Sequence, residues 1–199
     1  MTAEHSTYAA GFGPYTVLDL HDLPEDGKGF ELEDGWLIEV AAGYRHNWIA
    51  RRLARVLEAA GNGAIVALDG GEWEVSTQSG VRKPDVVVVD TDLAHALLAE
   101  EMPKLIPGAE LLLVVEVVSP GSASERTDRV RKVHEYAALR IPQYWLIEQR
   151  PDVRVHKFVL DGAEYRCEPV VRSGSKFTAE ITADDTFSVA FDPATLLGH

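Results

Sequence analysis

An α/β fold organised around a buried central sheet is predicted for this 199-residue chain by three features. The first is the run of four valines in PDVVVVD, Val86 to Val89, which fits a strand covered on both faces. The second is LLLVVEVV, Leu111 to Val118, an apolar run too short to cross a membrane and of the right length for a second buried strand. The third is the order strand, helix, strand from Leu111 to Glu148, the pattern of a crossover between parallel strands.

The remaining elements follow from local signals. Residues 1–14 have no hydrophobic period and read as a tail, which leaves residues 15–199 as a single domain. FELEDGWLIEV, from Phe30, reads as a hairpin about Asp34-Gly35, with Glu39 on its second strand. Ile49, Leu53, Val56, Leu57 and Ala60 recur at helical spacing and predict a helix that ends at Gly61. Short strands are expected at Ala64–Leu68 and Glu72–Ser76, around Asp69-Gly70-Gly71. A short helix from Asp92 to about Glu101 precedes a loop marked by Pro103 and Pro107. Ser122, Ser124 and Thr127 are possible caps for a helix that carries Val130, Val133, Ala137 and Ala138 on its apolar side. Gln143–Glu148 is the third buried strand. A hairpin about Asp161-Gly162 and a closing strand near Phe187–Phe191 complete the chain.

Lys and Arg number 19 against 32 Asp and Glu, a net charge of −13 that disfavours non-specific binding to polyanions. A single cysteine, Cys167, makes an internal disulfide impossible, and no apolar leader is apparent, so a reducing cytoplasm is the expected location. Basic clusters at Arg82-Lys83 and at Arg126, Arg129 and Arg131 suggest a local basic rim, although such clusters are commonly solvated faces. Trp36, Trp48 and Trp145 fall in expected core elements, leaving Trp73 as the one loose tryptophan and little support for a sugar-binding platform.

Carboxylates are costly inside buried strands unless paired or bound to metal. Glu116 breaks that rule, and Asp85 stands at the head of the valine strand, so the two converge if those strands are neighbours. A hard divalent cation would resolve their repulsion, and Glu39 could supply a third carboxylate. Asp85 also reads as a strand-end cap, Glu116 as a salt-bridged core residue, and His46 as a capping or solvated histidine at the helix start. Asp128, Lys132 and Tyr136, at i, i+4 and i+8, share one helical stripe, which equally describes a surface Asp–Lys pair.

Taken together, PDVVVVD, LLLVVEVVSPGS and DRVRKVHEYAALRIPQYWLIE resemble the Uma-type family of restriction endonucleases, a bacterial family with a PD-(D/E)xK nuclease-like core. The resemblance runs from near Tyr15 to about residue 195. It implies a restriction-endonuclease-like α/β fold: a central mixed β-sheet flanked by helices, with N- and C-terminal β-hairpins. It also implies a Mg²⁺- or Mn²⁺-dependent endonuclease acting on nucleic acid, DNA first, as a homodimer without a membrane partner. Asp85 and Glu116 match the motif acids, with the Val117 backbone carbonyl as a further metal ligand, and Glu39 matches an acidic position supplied earlier in the chain. Asp85, Glu116, Lys132 and Glu39 are the implied catalytic residues, and His46, Asp128 and Tyr136 the supporting ones.

Two departures stand out. Val118 occupies the place of the in-line lysine, so Lys132 on the next helix is its substitute, and Arg140 replaces a helix-ending glycine. The missing in-line lysine and the acidic charge also allow a different class of function, a catalytically inactive nuclease fold that binds or assembles.

Overall fold

The computed structural model describes residues 13–40, 42–99, 105–118, 121 and 125–198. The expected tail through residue 12, the loop at Pro103, the strand stop at Ser119-Pro120 and the caps at Ser122 and Ser124 lie outside the described residues.

A seven-stranded mixed sheet carries the main core. Its central strands are β6 (Val86–Asp90), β8 (Leu113–Val118) and β9 (Gln143–Glu148), with β3 (Ile65–Asp69) outside β6. On the other side β10 (Arg154–Asp161) follows β9 and pairs with both β11 (Glu164–Cys167) and β12 (Val171–Arg172). β8 and β9 are parallel, with Glu116 beside Leu146, as the crossover pattern predicts. The valine strand β6 is central and antiparallel to both neighbours, with Val86 beside Val115.

Side chains alternate across this sheet and divide its core in two. Val86, Val88, Val115, Val117 and Trp145 face the long helix α2 (Tyr44–Gly61) and the hairpin β13 (Phe177–Thr182)–β14 (Thr186–Phe191). Val87, Val89, Val114, Val118 and Leu146 form the other face, packed with Tyr136 of helix α4 (Lys132–Ala138), Ile141 and Tyr144. Helix α3 (Thr91–Ala99) adds Ala94 to this face. β13, absent from the expectations above, does carry a period-two signal, with Phe177, Ala179 and Ile181 buried and Thr178, Glu180 and Thr182 exposed.

A second, five-stranded sheet runs β2 (Trp36–Glu39), β1 (Phe30–Glu33), β5 (Gly80–Arg82), β4 (Glu74–Thr77) and β7 (Leu105–Ile106). Positive φ at both Asp34 and Gly35 closes the β1–β2 hairpin as the dipeptide predicts. β3 and β4, read together around Asp69-Gly70-Gly71, belong to different sheets. Helix α1 (Val17–His21) was not anticipated; Thr16 and Asp19 form a reciprocal capping box that is visible as Thr-x-x-Asp.

Three further expectations are corrected. Trp36 and Trp48 are 58% and 39% exposed, so of the three tryptophans assigned to the core only Trp145 is buried. Val130 is 52% exposed because a π-turn at Thr127–Arg131 widens the helix there and turns Val130 away from the packed side. Nor is there a basic rim at Arg82-Lys83, since both are buried and paired with acids.

Arg140 takes the left-handed conformation itself, with φ +64°, and its N–H donates to the Ala137 carbonyl. A Cβ in that conformation costs about 1 kcal/mol, which glycine avoids at some cost in unfolded-chain entropy. Arg140→Gly is therefore expected to stabilise the protein by about 0.5 kcal/mol, a rise of about 1–2 °C in melting temperature by calorimetry.

Candidate active site

The antiparallel register places Asp85, the residue before β6, one step beyond Val86–Val115 and therefore opposite Glu116. Asp85 Oδ2 accepts the Val117 N–H at 2.6 Å, which locks its carboxylate to the backbone beside Glu116. Asp85 Oδ1 lies 2.7 Å from His46 Nε2, in the first turn of α2. An ionised carboxylate only accepts, which puts the imidazole proton on Nε2. His46 Nδ1 is buried and has no hydrogen-bond partner among the described residues.

Glu116 lies on the α4 side of the sheet and is 4% exposed. Its Oε1 accepts from Lys132 Nζ at 2.9 Å and from the Tyr136 hydroxyl at 2.8 Å. Oε2 accepts no hydrogen bond from the described residues. Lys132 Nζ also reaches Glu31 Oε1 at 3.0 Å and Asp128 Oδ1 at 3.1 Å. The Asp128–Lys132 spacing thus describes a buried ion pair and not a surface one. The π-turn before Lys132 is held down by the Tyr144 hydroxyl, which donates to the Asp128 carbonyl at 2.9 Å.

One early-chain acid differs from expectation. Glu39 is exposed on β2 at the rim of the cleft, whereas Glu31 on β1 is 2% exposed and touches Lys132. Glu31 also accepts the Lys83 N–H at 3.0 Å and pairs with Arg82 at 3.2 Å. The signal that distinguishes the two glutamates is the face of the hairpin each occupies, and residue type alone does not reveal it.

One ammonium faces three carboxylates, so negative charge is in excess. Burial, with Asp128, Asp85 and Glu31 nearby, pushes Glu116 well above the ordinary carboxylate range despite Lys132. Burial likewise raises Asp128 against the pull of Lys132. Burial opposes ionisation of Glu31 as well, but Lys132 and Arg82 together hold it below its usual value. For Lys132, burial disfavours the charge, yet Glu116, Glu31 and Asp128 outweigh it and keep the side chain protonated.

A second ionic network fixes this arrangement to the five-stranded sheet. Arg82, fully buried, contacts Glu31, Glu33 and Glu135. Arg131 reaches Glu33, Asp34 and Glu135. Arg129 is held by Glu125 and Glu148, so this arginine too is engaged in ion pairing. The carboxylates and Lys132 open onto a cleft of about 680 Å³, a volume suited to a small ligand or a segment of a larger one.

Residues 17–192 match the family model Uma2, described as "Putative restriction endonuclease". The chain belongs to the Uma2 family. No curated protein sequence matches this Uma2 chain. Among solved structures it is similar to "a putative nuclease belonging to DUF820" from Anabaena variabilis, with a TM-score of 0.61 and 17% identity over 85% of this chain and 89% of that one. That likeness shows a shared fold. No helix among the described residues is long and apolar enough to cross a membrane.

Lys132→Met leaves buried Glu116 and Asp128 without their cation and Glu31 with Arg82 alone, and a destabilisation of about 3–5 kcal/mol is expected in urea unfolding. Adding Glu116→Gln removes one of those charges and should recover part of the loss; equal stability of the single and double variants would refute the charge-excess account. Burial opposes ionisation of Glu135, but hydrogen bonds from Arg82 and Ser79 hold it at about 2 against an ordinary 4.5. Its stabilisation is complete above pH 4.5 and is lost as pH falls toward 2, because the unfolded chain takes up the proton first. Glu135→Gln should lower stability at pH 7 by about 2 kcal/mol and flatten the acid limb of the stability profile.

Proposed function

We propose that this Uma2 protein is a metal-dependent nuclease that hydrolyses phosphodiester bonds of DNA in the cleft beside Asp85 and Glu116. The observation that carries the reading is the meeting of those two carboxylates at adjacent strands, with a buried lysine on one of them. The donor set suits Mg²⁺ or Mn²⁺. Asp85, Glu116 and the Val117 carbonyl are all oxygen donors, Glu116 retains an oxygen that no described residue engages, and the local charge excess favours a cation. Among the described residues no three His, Cys, Asp and Glu side chains are grouped to hold a metal. Two carboxylates completed by water and a phosphate oxygen match the way Mg²⁺ is commonly held.

Such an ion, when bound, lowers the pKa of a coordinated water and neutralises charge on phosphoryl oxygens. The chain's own residues supply the rest. His46 and the Val117 N–H fix both oxygens of Asp85, and Tyr136 fixes Glu116. Lys132 places a permanent positive charge beside Glu116, where it stabilises the developing phosphorane charge; Glu31 and Asp128 position that ammonium. Glu31 is the early-chain acid that touches Lys132, and Glu39 lines the cleft as a further carboxylate. A homodimer belongs to the same proposal and is read by sedimentation.

A second reading, an inactive binding or assembly module, is favoured by the three carboxylates that already engage Lys132. Calorimetric titration of Mn²⁺ separates the two when combined with cleavage assays on single- and double-stranded DNA. The nuclease reading expects saturable binding that Asp85→Ala and Glu116→Ala each abolish, and cleavage that falls at least about 100-fold in both variants. Cleavage insensitive to both substitutions overturns it, and absence of both ion binding and cleavage supports the module.

A further inference from the structure

The long helix α2 carries a second stripe, distinct from the one that builds the core. Tyr44, Trp48, Arg51 and Arg55 stand at i, i+4, i+7 and i+11, the spacing that aligns side chains along one side of a helix. All four are exposed, whereas His46, Ile49, Ala50, Leu53, Ala54 and Leu57 are buried. Tyr44 and Trp48 are 81% and 39% exposed, and their rings stack with centroids 6.1 Å apart and planes 29° from parallel. Two stacked aromatic faces left to solvent forfeit apolar burial that neither ring recovers within the fold.

Their position gives the stripe a ligand. Tyr44, Trp48 and Arg51 line the same cleft as Asp85, Glu116 and Lys132. His46, two residues from each ring, is the side chain that contacts Asp85. The cationic end of the stripe is lightly engaged: Arg51 approaches Asp69 at 3.6 Å, and Arg55 forms no ion pair among the described residues. Helix α2 has Arg45, Arg51, Arg52 and Arg55 against one acid, Glu58, in a chain whose net charge is −13. From Tyr44 to Arg55 the helix rises about 16 Å, enough to run alongside several nucleotides of a single strand.

Resting on the nuclease reading, we propose that this stripe is a track for unpaired nucleotides: Tyr44 and Trp48 stack on bases, and Arg51 and Arg55 follow the phosphates into the cleft. The substrate class is single-stranded or locally unpaired DNA and not regular duplex. In a duplex the base faces are occupied by their neighbours, so exposed rings gain contact only with splayed bases. An acidic chain is also poorly equipped to hold the dense charge of a duplex, while stacking supplies affinity without it. A second copy of the chain is the competing occupant of the rings. The continuation of the stripe into arginines and the shared cleft favour the nucleotide.

Fluorescence anisotropy of the full-length protein in EDTA, with labelled 12-nucleotide oligothymidylate and a 12-base-pair duplex, tests the track. The single strand should bind at least about tenfold tighter than the duplex. Tyr44→Ala and Trp48→Ala should each weaken it about tenfold, and Trp48→Phe should restore most of the loss. Arg51→Ala with Arg55→Ala should reduce the slope of log affinity against log salt by about 1. Binding of neither probe, equal affinity for both, or indifference to loss of the rings overturns the inference, as does a dimer by light scattering that dissociates in Tyr44→Ala and Trp48→Ala. Mn²⁺-dependent cleavage that persists equally on duplex in the ring variants overturns the track and leaves the nuclease reading intact. Ring-dependent binding without cleavage of any DNA does the reverse.

Discussion

The ammonium of Lys132 is where the architecture closes. It meets Glu31 from the small sheet, Glu116 from the large sheet and Asp128 from the turn that leads into its own helix. A hydrophobic contact in that place would tolerate rotation and slip, but a buried charge does not, because every displaced carboxylate would lose its counter-charge in a medium that solvates it poorly. The site is therefore rigid for electrostatic reasons as much as for packing. It also carries an imbalance, one cation against several anions, which is the condition under which an additional cation is welcome.

That rigidity depends on the junction between the sheets. Arg82 sits on β5 of the small sheet, is fully buried, and gathers Glu31 and Glu33 from β1 together with Glu135 from α4. The small sheet shares a modest apolar cluster with Leu20 of α1 through Leu32 and Val81 and sends Val75 and Ile106 into the second core, so packing and ionic contacts together set its orientation. The acidic composition has a local counterpart here. Several basic residues in the middle of the chain are consumed in holding elements together, which leaves the exposed arginines of α2 as a concentrated exception.

Much of the central sheet was legible because its signal is local and dense. Val86–Val89 and Leu111–Val118 leave no polar face to expose, and the one carboxylate inside such a run draws notice at once. The partnership of Asp128, Lys132 and Tyr136 was legible from helical spacing, but its burial was not, since that depends on a sheet contributed by distant residues. Glu31 and Glu39 show the same limit. Both lie in one hairpin, and only the docking of that hairpin against α4 decides which faces inward. Trp48 misleads for the opposite reason: apolar character suggests the core, whereas its stripe on α2 is rotated away from Ile49, Leu53 and Leu57. A helix long enough to own two faces can assign an aromatic ring to either.

Val118, two residues beyond Glu116, is wholly buried among the apolar residues of the second core. That strand position is ordinary packing, and the positive charge arrives from a helix laid across the same side of the sheet. What the fold supplies is thus a location for charge, set by segments that converge in space and not by an interval along one strand. Chains of this kind escape any signature written as fixed intervals along one strand, and they become recognisable when the signature is written as points in space.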